Sequence, residues 1–356
     1  MNRYTIAYQL AMAGLLGLST VIAGCGGSST TSTPGTPITP STGVTTTLLG
    51  GTGGGTFSAA VSINNGGLIV GSYDVGTMQA AKWDVANPSF PQVGLLPLTG
   101  GNYSAAYSIN DASITVGEAN DAPAGIIKAV TWAAGSTAAV TLNQDTLTGN
   151  NAAYGINATN MAVGEADIGG VTTAVLWSSL TAAPVTLAHL GTVTPCSSAY
   201  FISNEGVIAG ESRDDAGVLQ AVVWKPTNGV YGAPLLLAKL ADNQAGSVAL
   251  GVDANGNVVG EAELADGVLH GMVWDAAGAK VSDLGAATSA QAINNIDRIV
   301  GFVDALSGVE HAAIWSRTNI SDKRVIDPTS QAFGVNNAST FVGVKDNHAF
   351  VAKSTF

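Results

Sequence analysis

The sequence predicts an all-β protein, a seven-bladed β-propeller of four-stranded blades whose last blade is completed by an N-terminal strand. Three observations carry that prediction. One pattern recurs seven times at intervals of 41 to 50 residues, each copy breaks into four strand-like runs, and the two ends of the repeat region hold complementary partial copies.

The repeat is fixed by the glycines Gly71, Gly117, Gly164, Gly210, Gly260, Gly301 and Gly343, spaced 46, 47, 46, 50, 41 and 42 residues apart. Eleven positions before each stands an alanine, from Ala60 to Ala332, and eight before stands Ile or Val. Seven before comes a small polar turn residue: Asn64, Asn110, Asn157, Ser203, Asp253, Asn294 and Asn336. The six tryptophans, Trp83, Trp132, Trp177, Trp224, Trp274 and Trp315, follow the first six glycines by 12 to 15 residues, and the seventh copy has Ala352 instead.

Within the first copy, apolar runs separated by turn residues predict strands at Ser58–Ile63, Leu68–Tyr73, Gln79–Trp83 and Val93–Leu98, with Asn64-Asn65-Gly66-Gly67 as a hairpin. Four antiparallel strands make one blade. The alanine column is expected on the innermost strand, crowded against the axis. Glycine on the second strand lets a neighbour approach closely, and tryptophan at the end of the third fills the wider gap between blades.

The seventh copy supplies Gln331–Val335, Thr340–Val344 and His348–Ala352 but no fourth run. Thr45–Leu49, followed by GGTGGG, resembles the closing part of the other copies and is expected to complete it. Such a strand joins the ends of a ring and removes both open edges. An open solenoid, the alternative for a repeat array, leaves these complementary fragments unexplained.

Composition narrows the function. Of 356 residues, 45 are glycine and 11% are charged, with 25 acids against 13 bases and a formal net charge of −12. Nucleic-acid binding is excluded, because phosphate contacts need clustered Lys and Arg. Residues 1–24 read as a signal peptide, with an apolar run from Ile6 to Ile22, and an uncleaved membrane anchor is the alternative. Residues 25–43, rich in Ser, Thr, Pro and Gly, read as a tether, and 44–356 as the propeller.

Ile22-Ala23-Gly24-Cys25 resembles the lipobox of bacterial lipoproteins. That resemblance implies cleavage after Gly24 and acylation of Cys25, hence anchorage in a membrane. Gly26 rather than Asp in the next position implies the outer membrane. Cys196 is then left as a lone thiol, expected to be a small buried core residue.

The unit Ala-x-x-Ile-Asn-x-x-Gly-x-Ile-Val-Gly, followed by His-Ala-x-x-Trp and Leu-Gly, resembles the bacterial extracellular repeat called the HAF family. Ala290 to Gly301 with His311-Ala312-Ala313-Ile314-Trp315 matches it well, as does His348-Ala349-Phe350. The resemblance implies export and a repeat fold. It implies no catalytic residues.

Two further columns hold candidate chemistry. His270, His311 and His348 share one position at the entrance to the third strand, but equivalent points on adjacent blades diverge, and zinc needs ligands about 2 Å away. No metal site or cofactor is expected. Glu118, Glu165, Glu211 and Glu261 follow the glycine in copies two to five, where the others have Ser72, Phe302 and Val344. On one side of the ring, these four are the candidate binding residues. Asp253-Ala254-Asn255-Gly256-Asn257 lacks the spacing of a calcium loop. No nucleophile elbow, metal-protease helix or phosphate loop occurs.

The resulting functional expectation is an envelope lipoprotein, periplasmic or surface-exposed, whose propeller is a non-catalytic scaffold for a protein or a glycan. A propeller hydrolase or lyase acting on glycans is the alternative. That enzyme would require paired carboxylates with Arg or Tyr partners on one face.

Overall fold

The structure, a computed structural model, describes residues 40–50, 56–87, 92–122, 125–305 and 309–355. The signal peptide, the acylation site and most of the tether fall outside them, as does the Gly-rich stretch 51–55. Seven four-stranded antiparallel sheets follow one another along the chain. The innermost strands are Ser58–Ile63, Ser104–Ile109, Asn151–Ile156, Ser197–Ile202, Gln244–Val252, Thr288–Ile293 and Ser330–Val335.

In blades one to six the fourth, outermost strands are Val93–Leu95, Val140–Thr141, Val185–Thr186, Leu235–Leu236, Lys280–Ala286 and Asn319–Pro328. In the seventh that place is taken by Val44–Leu48, which pairs from Val44↔Ser354 to Leu48↔Phe350. The ring is therefore closed by an early strand, as the partial copies predict. The predicted fourth strand of the first blade is shorter than its apolar run, stopping at Leu95. The end of the tether is held: Ser41 donates its backbone N–H to Val325 O at 2.8 Å, and its Oγ accepts from Val325 N at 3.1 Å.

The glycine column exists because backbone meets backbone. A Cβ on Gly71, Gly117 or Gly164 would lie 1.9 Å from a carbonyl oxygen of the innermost strand, and the other four sites are as crowded, at 1.8 to 2.1 Å. The cause is a β-bulge beside each glycine. In every blade the residue after the column alanine is skipped in the pairing, for example Val61 between Ala60↔Gly71 and Ser62↔Val70.

The alanine column is placed differently from the sequence expectation. Ala60 packs with Val342, Ala349 and Val351 of blade seven, and Ala153 with Val116 and Ala129 of blade two. These alanines line the seam with the preceding blade rather than the axis, where sheet backbones leave room for one methyl. The tryptophans sit in the same seams, all at most 1% exposed. Five of them donate Nε1–H to a carbonyl of the preceding blade, as Trp177 does to Asn143 O at 2.9 Å.

Polar side chains bind each blade to the next. Thirteen residues before each glycine stands Ser, Thr or Asn, and all seven accept a backbone N–H from the third strand of the preceding blade at 2.8 to 3.0 Å. Ala349 N to Ser58 Oγ, at 2.9 Å, is the link that shuts the ring. At the hairpin turns a second belt runs: Asn64, Asn110, Asn157, Asn294 and Asn336 each donate Nδ2–H to the same column's carbonyl in the next blade. Ser203 and Asp253 lack that donor.

Candidate functional site

The bulges decide what faces the axis. Each skipped residue is freed from the ladder and re-aimed: Val61, Tyr107, Tyr154, Tyr200, Leu250, Gln291 and Phe333. Six of these, all except Tyr200, line an axial cavity of about 180 Å³. Its mouth is formed by the hairpin turns, where every blade contributes at least one residue, among them Asn65, Asp111, Ala158, Asn204, Ala254, Asn295 and Asn337. Among the described residues the cavity lining holds no Lys, Arg or His, and its acids are Asp111 and Glu205.

The turn residues also tie the mouth together. Asn337 Oδ1 accepts from Asn295 N at 3.0 Å, and Asn65 Oδ1 accepts in turn from Asn337 N at 2.9 Å. Asp111 accepts from Asn65 N at 2.9 Å, Asn204 from Ala158 N and Asn295 from Ala254 N. This belt is interrupted where Ala158 and Ala254 have nothing to accept with.

The four column glutamates stand one layer behind the axis. Glu118 is 9% exposed, Glu165 1%, Glu211 0% and Glu261 2%. Each is opposite an innermost strand, and in three blades the bulged tyrosine eleven residues earlier donates to it. Tyr107 Oη lies 2.9 Å from Glu118 Oε1, Tyr154 Oη 2.9 Å from Glu165 Oε1, and Tyr200 Oη 3.0 Å from Glu211 Oε1. Tyr103 adds a 2.5 Å bond to Glu118.

In blade five the bulged residue is Leu250, which has no donor. Glu261 is served instead from blade six by Gln291 Nε2, at 2.8 Å, and by Ser289 Oγ. Ser198 of blade four does the same for Glu165 of blade three, reaching its Oε2 at 2.5 Å. The residue in that position of blade five is Val248. Accordingly Glu211 Oε2 is buried with no hydrogen-bond partner.

Burial pushes all four carboxyls upward, because the charged form loses its water. Glu118 is raised, while Glu165 and Glu261 are pushed up to about 7. Glu211 reaches about 8: burial dominates, Tyr200 and Arg213 lower it, and Glu165 and Glu261 raise it. Burial beside these acids also raises Tyr103, Tyr107, Tyr154 and Tyr200 well above the usual phenol. The row is thus buried rather than an open acidic surface, and Tyr107, Tyr154 and Gln291, which line the cavity, bond to Glu118, Glu165 and Glu261.

The histidine column does not converge. His270 Nδ1 is 3.0 Å from Asp283 Oδ1, His311 Nδ1 is 3.2 Å from Ile326 O, and His348 Nδ1 is 2.7 Å from Asp346 O, each within its own blade. Asp253 accepts from the backbone N–H groups of Asn255 and Asn257 at 2.9 Å, closing its own turn. Cys196 is buried, as expected.

Sequence reasoning missed the bulged column because its chemistry is mixed. The signal lay one residue after each alanine, and in the Tyr-to-Glu interval of eleven repeated at 107 and 118, 154 and 165, and 200 and 211.

No protein-family model matches the sequence, and no curated protein sequence does. Solved structures do match in shape. An oligogalacturonate lyase in complex with manganese is 9% identical, with 89% of this chain and 95% of that one covered at a TM-score of 0.58. A structure from a study of two prolyl endopeptidases is 11% identical at a TM-score of 0.56, covering 88% of this chain and 47% of that one, so this chain spans less than half its length. A putative TolB from Agrobacterium tumefaciens is 11% identical, with 77% and 91% covered and a TM-score of 0.49. At such identities the likeness is one of fold: the chain is a β-propeller.

Proposed function

We propose that the chain is an envelope-anchored lipoprotein, acylated on Cys25 and built of HAF-type repeats, whose propeller is a non-catalytic binding module. The observation that carries the binding role is the axial cavity, to whose mouth every blade contributes at least one turn residue. A rigid ring surrounding a concave, mixed apolar and amide site is the usual form of a ligand pocket. The glutamates that a glycan-cleaving enzyme would need are closed in by tyrosine, serine and glutamine donors, and burial pushes Glu165 and Glu261 up to about 7 and Glu211 up to about 8, well above the usual carboxylate range. They support the wall of the site instead.

The test is affinity capture from cross-linked envelopes, comparing the full chain with an Asn65→Ala/Asn337→Ala variant at the mouth. A discrete envelope protein or glycan retained by the parent and lost by the variant supports the reading. Retention of the same partner by the variant overturns the axial site. Turnover of a glycan by the parent would establish the enzyme alternative. Anchorage is checked separately: Cys25→Ser is expected to abolish labelling by radioactive palmitate. Intact-mass analysis also reports whether the Cys25 sulfur carries lipid.

A further inference from the structure

The cavity wall has a composition that selects among ligands, and what it selects rests on the binding role proposed above. Tyr107, Tyr154, Phe201 and Phe333 all line it. The hydroxyls of Tyr107 and Tyr154 are bonded to Glu118 and Glu165 in the layer behind, which leaves ring carbons toward the cavity. Gln291 likewise uses its Nε2–H groups on Glu261 and Ser289, leaving the amide oxygen as its remaining acceptor. The faces of aromatic rings carry the negative part of the ring quadrupole, the surface that attracts cations.

Charge points the same way. The protein carries a formal net charge of −12. At the mouth stand Asp111 and Glu205, while the four glutamates behind the wall are pushed toward their neutral form by burial and add little charge. An anionic ligand would enter against this field, and no basic group in the described lining would receive it. A metal ion is poorly suited too, because among the described residues no three His, Cys, Asp or Glu side chains converge, and the nearest wall is carbon and amide. A weakly hydrated organic cation loses little water on entering such a site.

We propose that the axial cavity binds an alkylated ammonium head group, seated against the rings of Tyr107, Tyr154 and Phe333, with Asp111 and Glu205 at the mouth supplying the compensating negative charge. The space of about 180 Å³ equals roughly six waters. It fits one such head group, with the remainder of the ligand leaving through the ring of turn residues.

The experiment is calorimetric titration of the detergent-solubilised full chain with choline, with its neutral isostere 3,3-dimethylbutanol and with glucose. Choline is expected to bind at least tenfold more tightly than the isostere. Tyr154→Phe keeps the ring and is expected to retain most of that affinity. Tyr154→Leu, checked by its melting curve for an intact fold, is expected to lose at least tenfold. Equal binding of choline and the isostere, undiminished binding by Tyr154→Leu, or no choline binding overturns the proposal. Glucose bound in place of choline overturns the cation while leaving the axial site standing. A partner captured through the mouth residues but indifferent to choline does the same.

Discussion

Trp177 shows how much a single repeat residue carries. It is fully buried between blades two and three, and its indole N–H satisfies Asn143 O. Trp177→Ala is expected to cost about 3–5 kcal/mol in denaturant unfolding. Gly164→Ala is expected to be worse than its one carbon suggests, because the new Cβ would stand 1.9 Å from Ala152 O, and failure to purify folded protein is the anticipated result. Val248→Thr makes the opposite prediction. It offers Glu211 Oε2 the hydroxyl that Ser198 gives Glu165, and it is expected to raise stability by about 1 kcal/mol. An unchanged or lowered unfolding midpoint would count against this assignment of the orphan oxygen. Residues with an invariant role were readable in the chain: the glycines, alanines and tryptophans each have one permitted size. The bulged residues were not, because the axis accepts Val, Tyr, Leu, Gln and Phe alike, and only the ladder shows that they share a place.

At the scale of strands and turns, the apolar runs located the first three strands of a blade to within a residue or two. Pairing, not hydrophobicity, sets where they stop. The run after Val93 continues to Leu98, yet only Val93–Leu95 finds partners on the third strand. The turns hold a regularity that composition hides: Gly67, Ser113, Asn160, Gly206, Gly256, Asp297 and Ser339, all three residues beyond the Asn column, have φ between 55° and 84°. Ala158, in the break of the mouth belt, is a place to extend it. Ala158→Asn gives Asp111 N an acceptor and is expected to add about 0.5–1 kcal/mol, measured by thermal unfolding. The glutamates were recognised as a one-sided set, but their burial was not, since the sequence does not reveal that the bulged residues cover them.

For the whole molecule, the buried acids make stability depend on pH. Their carboxyls titrate near 4.5 when unfolded, while Glu165, Glu211 and Glu261 are pushed up to about 7, 8 and 7 in the fold. The folded state therefore holds protons that the unfolded chain has released. Their contribution is fully present below about pH 4.5 and is lost as pH rises through 7 to 8. The melting temperature is expected to fall between about pH 5 and pH 8.5, and the triple Glu→Gln variant to flatten that fall. An equal fall in the variant would assign the dependence to other groups. Closure makes a separate prediction: deleting residues 44–48 should lower the melting temperature far more than deleting residues 26–39, because the former removes the ladder on His348–Ser354.

The same ladder bears on how the molecule responds to tension. Residues preceding Val44 lead toward the membrane in the proposed anchorage, so a pull between envelope and ligand would arrive at the Ser41–Val325 bonds and then at the five pairs from Val44↔Ser354 to Leu48↔Phe350. Those pairs are the clasp of the ring. Peeling them would part blade seven from blade one while the chain stays whole, and a cavity whose mouth is assembled from all seven blades would lose its shape. In that anchorage, load on the anchor and grip on a ligand would be coupled through one short strand, a mechanical fuse.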